Sequence, residues 1–206
     1  MSEPKTVAAS VEEVVPGVRR WSIHDERIDF LGAAYAVDAN DGVVMIDPLP
    51  LQEDALASLG SVEAIVLTCG SHQRCAWRYR RELGVQVYAP ALAKEIEEEP
   101  NFRYGDGDSL PAGLRPVFTP GAGTTQHTLL LDDPKVAFVP DMLVGTPDGR
   151  VAMLASRWMY DPEEARRSVE KLLDLDFDVL CLAHGPAVTE RAKDAVRDAL
   201  QGPEYG

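Results

Sequence analysis

Four short apolar runs in this chain each end on a polar residue, and this pattern limits the fold more than any other feature. They are Gly42-Val43-Val44-Met45-Ile46 ending at Asp47, Val62-Glu63-Ala64-Ile65-Val66-Leu67 ending at Thr68, Val136-Ala137-Phe138-Val139-Pro140 ending at Asp141, and Val179-Leu180-Cys181-Leu182-Ala183 ending at His184. Runs so short and so rich in β-branched residues read as buried strands. Polar residues at the ends of such strands sit where open sheets present side chains to a cleft. Asp141 in that position must be solvated, paired or metal-bound, because burying a lone carboxylate is costly.

The segments between these runs read as helices and turns. Ala34 to Val37 and Gly42 to Pro48 are strands joined at Asn40-Asp41-Gly42, within wider antiparallel segments Val14 to Arg27 and Gly32 to Met45. Helices are expected over Gln52 to Leu59, over Gln73 to Leu83 with Gly84 closing it, over Ala91 to Glu99 with Pro100 stopping it, and over Pro162 to Leu173 and Thr189 to Leu200. Val85 to Tyr88 and stretches near Val117 and Leu129 are further strands, and Tyr104-Gly105-Asp106-Gly107-Asp108 is turn-rich.

A chain of 206 residues with 45% hydrophobic content can form one domain, here expected over 1–206 with 1–13 as a loose N-terminal segment. The net charge of −14 argues against nucleic acid, whose phosphates repel an acidic surface. No run is long enough to span a membrane, and Met1 to Glu13 has no apolar core of a secretory signal. Three cysteines, Cys69, Cys75 and Cys181, do not make a disulfide framework, so a cytoplasmic location is expected.

In order along the chain, Ile46-Asp47, the loop Thr68-Cys69-Gly70-Ser71-His72-Gln73-Arg74, Thr119-Pro120-Gly121-Ala122, the strand end at Asp141 and His184-Gly185 resemble the landmarks of the metallo-β-lactamase superfamily. That resemblance implies a four-layer αββα sandwich, an α/β fold, and a hydrolase with a dinuclear metal site. The family pattern places a Thr-His-x-His-x-Asp-His loop at Thr68 and a Pro-Gly-His turn at Pro120. Aligned without a gap, Cys69 and Ser71 replace two loop histidines, Gln73 the aspartate and Arg74 the last histidine, while Ala122 replaces the turn histidine. Asp141 and His184 alone match, too few for two ions that each need about three protein ligands.

The remaining candidates follow from residue chemistry. Cys69, His72 and Cys75 form a Cys-x2-His-x2-Cys run that suits zinc and could rebuild a site with Asp141 and His184, although a helix from Gln73 would turn Cys75 into the core. Cys69 beside Ser71 and His72 also permits a thiol nucleophile, a weak signal between close neighbours. His127 follows the Pro-Gly turn and could bind ligand or be a hydrogen-bonded loop residue; His24 reads as surface, and Trp77 as core. Arg74, always cationic, is expected to pair with Asp141 in place of the metal's charge and to leave room for an anionic ligand.

Two readings follow. One is a hydrolase of a small ester, thioester or phosphoester, with Asp141, His184 and His72 at the reacting site and one zinc or other divalent ion held by Asp141, His184, Cys69 and His72. The other is a pseudoenzyme with no cofactor that binds a small anionic molecule, and the loss of five of seven landmark ligands favours it.

Overall fold

The computed structural model describes residues 3–94 and 96–206. Its first sheet has seven strands in sequence order, β1 (Glu12–Val15), β2 (Val18–Asp25), β3 (Phe30–Asp38), β4 (Val43–Ile46), β5 (Val62–Val66), β6 (Gln86–Pro90) and β7 (Phe102–Tyr104). The strands β1 to β4 form an antiparallel meander, and β4 to β7 run parallel. Four further strands, β8 (Arg115–Phe118), β9 (His127–Leu131), β10 (Val136–Val139) and β13 (Val179–Leu182), form the second sheet in the order β13-β10-β9-β8. A small ribbon pairs β11 (Leu143–Gly145) with β12 (Val151–Met153).

Alternation along the strands divides the core into layers. Ala33, Tyr35 and Val37 of β3 face the second sheet and pack with Ile46, Val66, Leu129, Phe138 and Cys181. Ala34 and Ala36 face the other way, toward Trp21, Met45, Ile65 and the helices α1 (Glu53–Ser58) and α2 (Ala76–Leu83), which contribute Ala55, Ala76, Trp77 and Tyr79. The outer face of the second sheet, with Leu130, Ala137, Val139 and Leu180, is covered by α3 (Pro162–Leu172) and α4 (Ala192–Gln201) through Val169, Leu172 and Val196. Helix, sheet, sheet and helix make the four-layer αββα sandwich.

Local chemistry sets the helix ends. The carboxylate of Asp161 caps α3 by accepting from the Glu164 amide at 3.0 Å, with Pro162 at the first helical position. Gly84 closes α2 in the left-handed region at φ 70°.

Two expectations are corrected. No helix forms over the described part of Ala91 to Glu99, with Glu95 itself outside the described residues; Ile96 packs on the core and the Glu97 amide donates to Gln73 Oε1 at 2.7 Å. Tertiary contacts there override the helical preference of Ala and Glu. The described part of the N-terminal segment is held at Ala8 as well, whose amide donates to Pro50 O and whose carbonyl accepts from the Gln52 amide, at 2.9 and 3.0 Å, while residues 1 and 2 lie outside the described residues. Among the described residues no helix is long and apolar enough to cross a membrane.

Candidate functional site

Parallel pairing brings the strand ends together. Val139 of β10 lies opposite Leu182 of β13, so Asp141 and His184 emerge side by side. In the first sheet Ile46 of β4 lies opposite Val66 of β5, which sets Asp47 beside Thr68. Asp47 takes φ 48°, a conformation aspartate tolerates better than most residues. Its carboxylate accepts from the Thr68 amide at 2.8 Å and the Thr68 hydroxyl at 2.5 Å.

The loop after Thr68 turns as a 3-10 helix over Gly70–Gln73 and carries His72 inward to 4% exposure. His72 Nδ1 lies 3.0 Å from Asp47 Oδ2 and its Nε2 2.9 Å from Asp141 Oδ1. His184 Nε2 reaches the same Asp141 oxygen at 3.0 Å, while its Nδ1 donates to the Leu31 carbonyl at 3.1 Å. The other Asp141 oxygen accepts from Gln126 Nε2 at 2.7 Å. Cys69 Sγ, His72 and Asp141 offer ligand atoms that all lie within 4.8 Å of one another. Cys69 Sγ also stands 3.1 Å from the hydroxyl of Ser71.

The electrostatics follow from this packing. Burial disfavours the His72 imidazolium, but the charges of Asp141, Cys69 and Asp47 outweigh it and hold its pKa well above the ordinary histidine value. Burial likewise penalises the Asp141 carboxylate, yet the His72 charge and the His184 hydrogen bond keep its pKa well below the usual range.

The chain therefore brings Cys69, His72, Asp141 and His184 together and directs other candidates elsewhere. Arg74 does not pair with Asp141: it sits at φ 36°, and its Nη1 donates to the carbonyls of Ala33 at 2.7 Å and Asp47 at 3.1 Å. No ion pair within 4.0 Å joins the two among the described residues, because this backbone kink points the guanidinium at β3. His127 packs its ring against Tyr104 and Phe118, donates from Nδ1 to Thr125 O at 3.0 Å, and has its pKa lowered by burial. Cys75 is buried in the helix-facing core, and Gln73 accepts from Trp77 Nε1 at 2.6 Å, on the helix side. His24 is exposed beside Asp29.

The roles of Asp47 and Gln126 were not legible. Asp47 ends a strand as the landmarks require, and a carboxylate at a strand end was the available signal. A glutamine in a loop carries no comparable mark.

A model of the metallo-beta-lactamase superfamily matches residues 12–199. Among solved structures, a metallo-beta-lactamase from Pontibacter korlensis is similar with TM-score 0.73 and 15% identity, covering 94% of this chain and 99% of that one. One from Erythrobacter litoralis gives TM-score 0.69 and 15% identity over 93% and 91% of the two chains. A metallo-beta-lactamase family protein from Thermus thermophilus gives 0.69 and 17% over 92% and 80%. No curated protein matches the chain significantly.

Proposed function

We propose, for a chain that belongs to the metallo-β-lactamase superfamily, that it holds a single divalent metal ion at Cys69, His72 and Asp141 and hydrolyses a small ester, thioester or phosphoester there. The observation that carries this reading is the convergence of three donor atoms within 4.8 Å. Thiolate, imidazole and carboxylate are a donor set suited to zinc, and three protein ligands leave one position open, as in catalytic rather than structural sites.

The histidines support it. Ligating histidines commonly donate their second N–H to a carboxylate or a backbone carbonyl, which fixes the tautomer. His72 does so to Asp47 and His184 to Leu31, and each aims Nε2 at Asp141 Oδ1. A bound ion supplies Lewis-acid polarisation of a carbonyl or phosphoryl oxygen. The residues do the rest: Thr68 holds Asp47, Asp47 holds His72, Gln126 orients Asp141, and the Nε2 proton of His72 leaves when the ligand atom is needed. The replaced landmark positions offer little to a second ion, since Ala122 has no donor atom, Arg74 is cationic, Ser71 is exposed and Gln73 bonds Trp77. We place the protein in the cytoplasm, where its three free, buried cysteines stay reduced.

A second reading, a pseudoenzyme that binds a small anionic molecule, is favoured by burial. The side chains of His72 and His184 are 6% and 10% exposed, and His72 between two carboxylates neutralises charge without a metal. Hydrolysis of p-nitrophenyl acetate, an aryl thioester and p-nitrophenyl phosphate, compared before and after metal removal, separates the two. Metal-dependent turnover that is lost in Cys69→Ser supports the hydrolase; no turnover of any of the three, with or without added metal, supports the binding protein.

A further inference from the structure

We propose that Gln126 is the residue by which this site recognises its ligand: its amide nitrogen holds Asp141, and its carbonyl oxygen accepts a hydrogen bond from a hydroxyl or N–H group on the bound small molecule. The inference takes from the metal-site reading only the location of the ligand, beside Asp141.

Gln126 is 2% exposed, and its Nε2 donates to Asp141 Oδ2 at 2.7 Å. That contact fixes which way round the amide stands, because the reverse assignment would set a carbonyl oxygen against a carboxylate oxygen. Oε1 is then committed to the acceptor role, and it is buried with no donor among the described residues. Sharing a carbon with Nε2, it lies beside the Asp141 carboxylate. A buried acceptor left without a donor is costly and rare.

The amide cannot easily turn to find another partner. The Gln126 main-chain carbonyl accepts from the Thr119 amide, and the next main-chain amide, that of His127, donates to Thr68 O, both at 3.0 Å, so the backbone that carries the side chain is fixed. The turn at Gly123 folds over the side chain so closely that a Cβ there would lie 3.2 Å from Nε2. Asp141 is also the open side of the cluster, with 21% of its side chain exposed against 6% and 10% for His72 and His184. Because Gln126 is hydrogen-bonded directly to Asp141, a ligand seated against that carboxylate stands next to the amide and reaches Oε1 by displacing what covers it. Sites that offer a fixed partner to a ligand's polar group reject analogues that lack the group.

Glycolate and acetate differ by one hydroxyl donor and serve as probes. Calorimetric titration of the zinc-loaded and zinc-free protein is expected to show glycolate binding at least about tenfold more tightly than acetate. Gln126→Met, which keeps the length and loses the amide, is expected to abolish that preference. Should the variant fail to fold, the wild-type protein labelled with nitrogen-15 in its glutamine side chains gives the same answer: glycolate, and not acetate, shifts the Gln126 amide resonance. Equal affinities, or no binding of either anion, overturn the assignment, as they would if a water served Oε1. Zinc titration without either anion tests the metal site separately, so a protein that binds no zinc yet prefers glycolate sinks that reading and leaves this one standing.

Discussion

His72 Nε2 stands 2.9 Å from Asp141 Oδ1, and this contact rather than any arginine supplies the positive charge beside the surviving landmark aspartate. The same ring meets Asp47 on its other nitrogen at 3.0 Å, so one imidazole joins strand ends of both sheets.

Removing that ring takes one partner from the buried Asp47 and one from the half-buried Asp141. In metal-free protein His72→Gln is expected to lower stability by about 3 kcal/mol, the lower part of the range for breaking a buried pair, since Asp141 keeps His184 and Gln126 and Asp47 keeps Thr68. Urea denaturation in the presence of a chelator measures it; a loss below about 0.5 kcal/mol, the size of a surface substitution, would contradict the pairing.

Arg74 is 4% exposed and satisfies two backbone carbonyls from a strained backbone. Arg74→Ala is expected to cost about 1.5–3 kcal/mol through those lost charge-assisted bonds while leaving zinc stoichiometry unchanged. Loss of zinc binding with intact folding would instead place Arg74 at the metal.

The two shifted groups give the metal-free protein a stability optimum on the mildly acid side. The pKa of His72 is raised on folding, so its contribution is complete below its unfolded value of about 6.5 and is lost as pH rises through the elevated folded value. That of Asp141 is depressed, so its contribution is complete above about 3.9 and is lost as pH falls. His127, whose pKa burial lowers, adds to the acid-side loss below about 6.5. Denaturant titrations across pH should show an alkaline decline in wild type that is absent in His72→Gln; an identical decline in both would refute the assignment.

Gly185 carries φ 121°, and a Cβ there would lie 2.6 Å from the Gly145 Cα. Gly185→Ala must push backbone from backbone directly after His184, and the collision alone is expected to cost about 1–3 kcal/mol. Zinc affinity should fall with it, because the Gly145 amide also anchors the His184 carbonyl at 2.7 Å. Unchanged affinity would show that the His184 contact does not position Asp141 for the ion.

What the sequence revealed tracks how local each cause is. Strand ends at Asp47, Thr68, Asp141 and His184 were legible because the apolar runs before them are buried on both sides. Helicity over 91–99 failed because the anchors of that segment, the Gln73 side chain and the core under Ile96, lie elsewhere in the chain. At the site, the 3-10 turn at Gly70–Gln73 turns His72 inward beside Asp141, where an ungapped reading of the landmarks put its neighbours. Arg74 was misplaced for a similar reason, since a φ of 36° is a torsion that residue identity does not announce.

The central claim, one metal ion at Cys69, His72 and Asp141, is tested most directly by titrating chelator-treated protein with cobalt and counting equivalents. Saturation is expected at one equivalent, with a thiolate-to-cobalt charge-transfer band that disappears in Cys69→Ser. Saturation at two equivalents, or no binding at all, would contradict it.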